Sequence, residues 1–240
     1  DTHVARLWRG AVAHGATPVE AHLPRAYVAA NRGPEDIDPA LFADGERWPG
    51  PVEVTRKTEQ GIGLVWRLAR GGVPMYARAL SVDEVERRIR TCWHPYHEAV
   101  ARALDERHLA FGAVWHVNCH SMPAVGDARS DDPGRERADV VLGDRDGTTC
   151  EAAFTHLVAE AFASRGYSVA VNDPYKGVEL VRRHGRPAER RHSLQVELKR
   201  TLYMDEGTLE PNAGYARLER DLTAIAAVIA AHARASAPGG

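Results

Sequence analysis

The sequence lacks the features that mark several large classes of protein. It has only three cysteines, Cys92, Cys119 and Cys150, and no C-x-x-C pair, which argues against a disulfide framework and against a zinc site made of cysteines alone. No run approaches 18 apolar residues, and the first residues carry no signal-peptide pattern. We therefore expect a cytoplasmic protein without a membrane span.

An excess of charge of either sign is also missing. The 31 basic residues nearly balance the 33 acidic ones, for a formal net charge of −2, and the arginines are scattered along the chain. A chain without a basic field is a poor partner for nucleic acid or for an anionic membrane surface. We expect neither as a partner.

The chain does have enough apolar residues to form a sizeable core. The chain has 240 residues, of which 44% are hydrophobic, and this indicates one globular domain over 1–240. It begins with Asp1 rather than with methionine. We therefore expect that an N-terminal segment of the domain lies upstream of this residue.

Strand and helix patterns alternate along the chain, which indicates an α/β sandwich. Helical patterns occupy 81–104, with an interruption at Pro95, and also 151–165 and 218–233. Strand patterns occupy 17–23, 25–31, 113–119, 167–172, 177–183 and 193–199.

His120 follows the most apolar of these predicted strands, at the end where α/β sheets usually carry their chemistry. Adjacent residues on a strand point to opposite faces, so neither Cys119 nor Ser121 is well placed to be a nucleophile activated by His120. Asn118 shares its face. His120 is therefore either a metal ligand oriented by Asn118 or a histidine hydrogen-bonded beneath a loop.

Glu197 belongs to a segment, 193–199, in which apolar and polar residues alternate without exception. This pattern is typical of a strand with one solvated face. A strand late in an α/β chain usually has both faces covered, however, and a covered carboxylate next to a metal-bound water is the alternative. The pattern does not decide between the two.

Arginine and asparagine side chains near a Pro/Gly-rich turn are candidates for binding a carboxylate. Arg25, Asn31 and Arg32 precede such a turn, and a guanidinium can hold a carboxylate through two parallel hydrogen bonds. A surface salt bridge is the alternative for each arginine.

Taken together, the motifs resemble those of the N-formylglutamate amidohydrolase family, which is similar in fold to the zinc carboxypeptidases. The resemblance covers nearly the whole chain and depends on the order of segments that are individually weak. They are Asn31-Arg32, Gly61-Ile62-Gly63-Leu64, Trp93-His94-Pro95-Tyr96-His97, Cys119-His120-Ser121-Met122-Pro123, Leu142-Gly143-Asp144-Arg145, Asn172-Asp173-Pro174-Tyr175-Lys176-Gly177 and His192-Ser193-Leu194-Gln195-Val196-Glu197.

The resemblance implies a three-layer α/β fold with a mixed central sheet between helices, and a zinc-dependent hydrolysis of an N-acyl amino acid, with N-formylglutamate as the first candidate. It implies that Asp1 and His120 are zinc ligands and that Glu197 is the general base and then the general acid. A further ligand histidine is expected upstream of Asp1, with His3 as a less favoured substitute.

The resemblance also implies a substrate site. Asn31 and Arg32 are expected to hold the α-carboxylate, Arg25 or Arg145 a side-chain carboxylate, and Asn172 another part of the substrate. The expected partner is thus a small-molecule N-acyl amino acid.

Several positions depart from the family pattern. Ala29 and Asn118 replace acids that are usual two residues before Asn31 and His120; Ala5 and Val178 are further departures. An Asn at 118 accepts a hydrogen bond but supplies no charge. A non-catalytic relative that binds an amino-acid-like ligand, and a zinc exopeptidase or amidase of another substrate, are the alternatives.

Overall fold

The helices and strands fall into two units of the chain. The structure is a computed structural model that describes residues 1–237, with the side chain of Arg70 left aside. One unit comprises Asp1–Pro18 and the chain from Ala103 onward, and the other comprises Val19–Arg102. Our expectation of one domain over 1–240 stays a prediction, and residues 238–240 lie outside the described part.

The bounds of the regular elements are as follows. The helices are α1 (Val4–Leu7), α2 (Arg56–Glu59), α3 (Val82–Arg88), α4 (His94–Phe111), α5 (Ala152–Ala163), α6 (Glu179–His184) and α7 (Tyr215–Ser236). The strands are β1 (Val114–Met122), β2 (Val140–Gly143), β3 (Val169–Val171) and β4 (Arg191–Lys199). Short 3₁₀ segments cover Arg9–His14, Pro39–Leu41, Arg70–Gly72, Pro187–Glu189 and Arg200–Leu202.

The four strands form one mixed sheet in the order β1-β4-β2-β3. β1 is parallel to β4 and β2 is parallel to β3, whereas β2 and β4 are antiparallel. The mixed sheet with its helices confirms the predicted α/β class. None of the helices within residues 1–237 has both the length and the apolar content that crossing a membrane requires.

One face of the sheet carries the main apolar core of this unit. Leu194, Val196 and Leu198 of β4 are fully buried there, in the same cluster as Phe154 of α5 and Leu222 of α7. Burial of each such side chain stabilises the fold by about 1.5–3 kcal/mol. The alternation predicted over 193–199 is therefore real, and its apolar half faces helices.

α6 shows that the predicted strand at 177–183 is wrong. Glu179 pairs with Arg182 and Arg183, at the i+3 and i+4 spacing of a helix, and its carboxylate is buried between them. These pairs, together with the buried Leu180 and Val181, favour the helix over the strand that the apolar residues indicated.

The predicted strands at 17–23 and 25–31 are also wrong, because both segments are irregular. The backbone bonds of these segments are isolated or close turns, as from Ala29 N to Leu64 O, from Trp66 N to Ala26 O and from Tyr27 N to Pro24 O. Pro18 and Pro24 each lack the N–H that a ladder needs. By contrast, the interruption predicted at Pro95 is found as a π-helical turn, Ile89–Trp93, directly before α4.

Candidate active site

The face of β1 and β4 that is opposite the apolar core carries a ladder of polar side chains. In the parallel register His116 pairs with Ser193, Asn118 with Gln195 and His120 with Glu197. Paired residues of a sheet point to the same face, and alternate residues share it. These six residues, called the polar ladder below, are therefore neighbours, although the two members of each pair are 77 positions apart in sequence. Most of them are buried.

His120 lies at the end of the polar ladder with a partner at each ring nitrogen. Its Nε2 is 2.8 Å from Asn118 Oδ1, and its Nδ1 is 3.0 Å from Asp1 Oδ2. An amide oxygen only accepts, so Nε2 carries the hydrogen and neutral His120 presents a lone pair at Nδ1. Two acceptors, Nδ1 and the Asp1 carboxylate, then face each other, and a cation or an additional proton must lie between them.

Asp1 is fixed in this position by Ser121, whose backbone N–H donates to Oδ1 at 3.0 Å and whose Oγ lies 3.3 Å from the same atom. An imidazole nitrogen and a carboxylate oxygen are ligands that zinc takes in catalytic sites. A catalytic zinc uses three protein ligands, and within residues 1–237 no group of three His, Cys, Asp or Glu side chains is placed to hold a metal. The donor set therefore fits two positions of a zinc site.

His3, our less favoured ligand, is engaged elsewhere. Its Nε2 is 2.9 Å from the carbonyl oxygen of Leu209, and its ring contacts the rings of Tyr203 and Tyr215 edge-on.

Glu197 is a buried carboxylate with few partners. It is 9% exposed, and Gln195 Nε2 donates to its Oε1 at 3.0 Å. Within the described chain no Lys, Arg or His forms a salt bridge with it, and its Oε2 accepts no hydrogen bond. Burying a carboxylate without a cation is costly, so a residue of this kind is a strong candidate for chemistry.

The side chains of Asn172 and Arg145 form hydrogen bonds with neighbouring loops. Asn172 exchanges two hydrogen bonds with Asp144, from its Nδ2 to Oδ1 at 2.7 Å and from Asp144 N to its Oδ1 at 3.1 Å. Arg145 Nη1 donates to Gly177 O at 3.1 Å. Because β2 runs antiparallel to β4, Arg145 lies toward the N-terminal half of β4, away from Glu197. Their roles in substrate binding stay predictions.

The ring of Tyr175 packs against the guanidinium of Arg137, which is itself held in place. Arg137 lies under its ring, 5.1 Å from the centroid, and Arg137 is in turn held by two hydrogen bonds from its Nε and Nη2 to Asp132, at 2.8 and 2.7 Å. Burial raises the pKa of Tyr175 to about 12, an effect that Arg137 opposes and that the charge of Glu197 reinforces. The phenol is therefore neutral at physiological pH.

In the other unit, Asn31 and Arg32 occupy a buried turn. Arg32 Nη1 donates to Asn31 O at 2.9 Å, and its Nε is 3.6 Å from Asp36 Oδ2. Trp93 Nε1 donates to Arg32 O at 2.9 Å, and His97 Nε2 is 2.8 Å from Ala30 O. Arg25 is partly exposed in an irregular segment, and not at the end of a strand as predicted.

Several residues that shape these sites were not predicted from the sequence. Ser121 orients Asp1, Gln195 orients Glu197, and Asp132 with Arg137 supports Tyr175. Gln195 stood in the alternating pattern two residues before Glu197, and that spacing was the available signal. No pattern in the sequence indicated the pairing of Asp132 with Arg137.

Comparison with known proteins gives consistent results. The family model for N-formylglutamate amidohydrolase matches residues 1–204. The N-formylglutamate deformylases of Pseudomonas aeruginosa and Pseudomonas putida are 30% and 28% identical to this chain over 213 residues, which cover 86% of this chain and 71% of each relative.

Solved structures show the same fold. A crystal structure of an N-formylglutamate amidohydrolase from Ralstonia eutropha JMP134 is 46% identical, with a TM-score of 0.89, and the match covers 97% of this chain and 83% of that one. A protein of Agrobacterium tumefaciens, 18% identical, shares the fold with a TM-score of 0.60 over 94% of this chain and 77% of its own.

Proposed function

Because the chain belongs to the N-formylglutamate amidohydrolase family, we propose that it is a zinc-dependent enzyme that hydrolyses N-formylglutamate to formate and glutamate. The observation that carries the proposal is the end of the polar ladder, where His120 with Asp1 and the buried Glu197 occupy paired positions of β1 and β4. The two relatives at 30% and 28% identity and the Ralstonia structure, which are named for the same substrate, support it.

Zinc is the metal that the donor set suits. His120 Nδ1 and Asp1 Oδ2 would hold it, and Asn118 would fix the ring of His120 from behind. When bound, zinc polarises the scissile carbonyl and lowers the pKa of a bound water to about 7. A catalytic zinc uses three protein ligands, so the proposal also requires a third ligand that is not among the described residues.

Glu197 is proposed to move the proton. Its Oε2 is available to accept a proton from the attacking water, while Gln195 keeps the carboxylate in one orientation through Oε1. The same group then delivers the proton to the departing nitrogen, which cannot leave as an anion. A general acid–base of this kind contributes about 10²–10⁴ to the rate.

The substrate's carboxylates need cations, and the near-zero net charge means that these must be local. Arg32 with Asn31 is proposed for the α-carboxylate, and Arg145 or Arg25 for the side-chain carboxylate, with Asn172 as a further contact. Anchoring both ends of glutamate places the small formyl group at the reacting centre.

The experiment measures release of the free amino acid by the full-length protein from N-formylglutamate, N-formylaspartate and N-acetylglutamate, and also release of formate from the two formyl substrates. We expect turnover with N-formylglutamate that a chelator abolishes and that added zinc restores. Zinc bound in stoichiometric amount without hydrolysis of any of the three would contradict the proposal and favour a protein that only binds such ligands. Turnover that survives full removal of metal would contradict the zinc dependence alone.

A further inference from the structure

We propose that Tyr175 is a further catalytic residue, whose hydroxyl donates a hydrogen bond to the carbonyl oxygen of the substrate as negative charge develops there. This inference rests on the proposed function, because it concerns the same amide hydrolysis. Neither the motifs nor the named relatives assign Tyr175 a role.

The loop that carries Tyr175 lies over the polar ladder. Gly143 of β2 pairs with Gln195, so a side chain at 143 would point to the face of the ladder. A Cβ built there would be 2.7 Å from both Gly177 N and the carbonyl carbon of Lys176. The backbone next to Tyr175 therefore covers this face directly, and only glycine at 143 permits the approach.

The ring of Tyr175 is held firmly. It lies over the guanidinium of Arg137, which is almost fully buried, donates to both oxygens of Asp132 and also donates through Nη1 to Pro123 O at 3.1 Å. A donor on such a support needs no reorganisation when charge appears, and this is the property that makes oxyanion donors effective.

The hydroxyl of Tyr175 is available. Within the described chain it makes no hydrogen bond, although the ring is half-buried. Tyr167 and Tyr203 of this unit differ, since Tyr167 donates to Asp221 and Tyr203 donates to Thr2 O. The hydroxyl of Tyr215 also has no partner among the described residues, but it is buried away from solvent. Burial also keeps the pKa of Tyr175 near 12, so that the group remains a donor over the whole working pH range.

The step is balanced without proton transfer from Tyr175. Water adds to the formyl carbon, a C–O bond forms, the carbonyl π electrons move onto oxygen, and Glu197 takes the water proton. When the C=O bond re-forms, the C–N bond breaks and the proton passes from Glu197 to nitrogen, which yields formate and glutamate. Tyr175 O–H stabilises the oxygen between these two events.

The test compares Tyr175→Phe with Tyr167→Phe, each of which removes one hydroxyl and nothing else. In Tyr175→Phe we expect kcat with N-formylglutamate to fall by about 10²–10³ with KM changed less than threefold. In Tyr167→Phe, whose hydroxyl serves only Asp221, we expect the wild-type kcat. Affinity for a phosphonamidate analogue of the tetrahedral intermediate should fall in Tyr175→Phe by the same factor as kcat/KM, while affinity for glutamate is unchanged.

Each other outcome decides against the inference. If kcat of Tyr175→Phe stays within threefold of wild type, or if the loss lies in KM and in glutamate affinity, Tyr175 is not an oxyanion donor. If the wild type itself releases no formate under the same conditions, the proposed function fails, and the inference fails with it for a distinguishable reason.

Discussion

The two faces of β4 differ in what they bury, since one packs into the apolar core and the other carries polar side chains. Leu194, Val196 and Leu198 point into an apolar cluster and are fully buried, whereas Gln195 and Glu197, between them in sequence, are buried among polar groups. One nine-residue strand thus carries both a core and a candidate active site. A strand anchored by its apolar face can bear a poorly compensated carboxylate on the other, because about 1.5–3 kcal/mol per buried side chain offsets the cost.

Glu197→Gln is expected to have the largest effect, a loss of turnover. It changes only the polar face of β4. The amide keeps the shape of the side chain but cannot accept a proton, so kcat for formate release should fall by about 10²–10⁴. Zinc content, measured on the same sample, should match that of the wild type, and the thermal midpoint should be no lower, because the amide removes a buried charge. A variant that retains more than a tenth of the turnover would remove Glu197 from the mechanism.

Leu194→Ala tests the apolar face. A cavity left by a fully buried leucine costs about 2–5 kcal/mol in the free energy of unfolding, measured by urea denaturation. The control is Leu109→Ala, the same change at a leucine that is 88% exposed, which should stay within about 0.5 kcal/mol. Equal losses at the two positions would mean that the core of this unit is not where we place it.

Asn118 tests the polar face without removing a proposed ligand, because its contact with His120 is a hydrogen bond. In Asn118→Ala the ring loses its orienting acceptor, and zinc affinity should fall about 10–100-fold in competition with a chromophoric chelator. Asn118→Asp, which supplies a negative charge at the same position, should bind zinc at least as tightly as the wild type. If the alanine variant binds zinc normally, Asn118 does not support a ligand.

The pH dependence of stability compares one histidine on each face. Burial, with smaller contributions from His184 and His120, lowers the pKa of His116 to about 3, and burial also lowers the pKa of His192. The unfolded chain, with histidine pKa values near 6.5, therefore binds more protons as the pH falls. The free energy of unfolding should decrease below pH ~6.5, by at most about 1.4 kcal/mol per pH unit for each histidine.

Urea titrations between pH 7 and 5 check this dependence. His116→Gln keeps a hydrogen-bonding group opposite Ser193 but cannot be protonated, so its stability should fall less steeply with pH than that of the wild type. His156→Gln, the same change at a histidine side chain that is 75% exposed, is the control for the substitution itself. A wild-type stability that is flat over this range would show that neither buried histidine remains uncharged.

The fold was predictable where a pattern was long and periodic. β4 followed from strict alternation, and α7 followed from an alanine-rich segment at 218–233. β2 was missed because four buried residues, Val140–Gly143, are too few to show a period, and α6 was mistaken for a strand because its helical ion pairs lie among apolar residues. The antiparallel placement of β2 depends on long-range pairing, which no local pattern encodes.

The positions of His120 and Glu197 were predictable, because each stands near the end of a recognisable strand. Their chemical roles came only from the resemblance and stay predictions. The contact of Asp1 with His120 came only from the resemblance, since 119 residues separate them, and the structure brings the two together. The support beneath Tyr175 could not be predicted. It joins Asp132, Arg137 and the loop after β3 through contacts that exist only in the folded chain.

The most direct test of the central claim is product analysis with the zinc-loaded full-length protein and N-formylglutamate. If the polar face of β1 and β4 hydrolyses this amide, formate and glutamate should appear in a 1:1 ratio at a rate proportional to enzyme. Glu197→Gln, with the same zinc content, should produce both about 10²–10⁴ times more slowly. Stoichiometric zinc and an intact fold without release of formate would contradict the account.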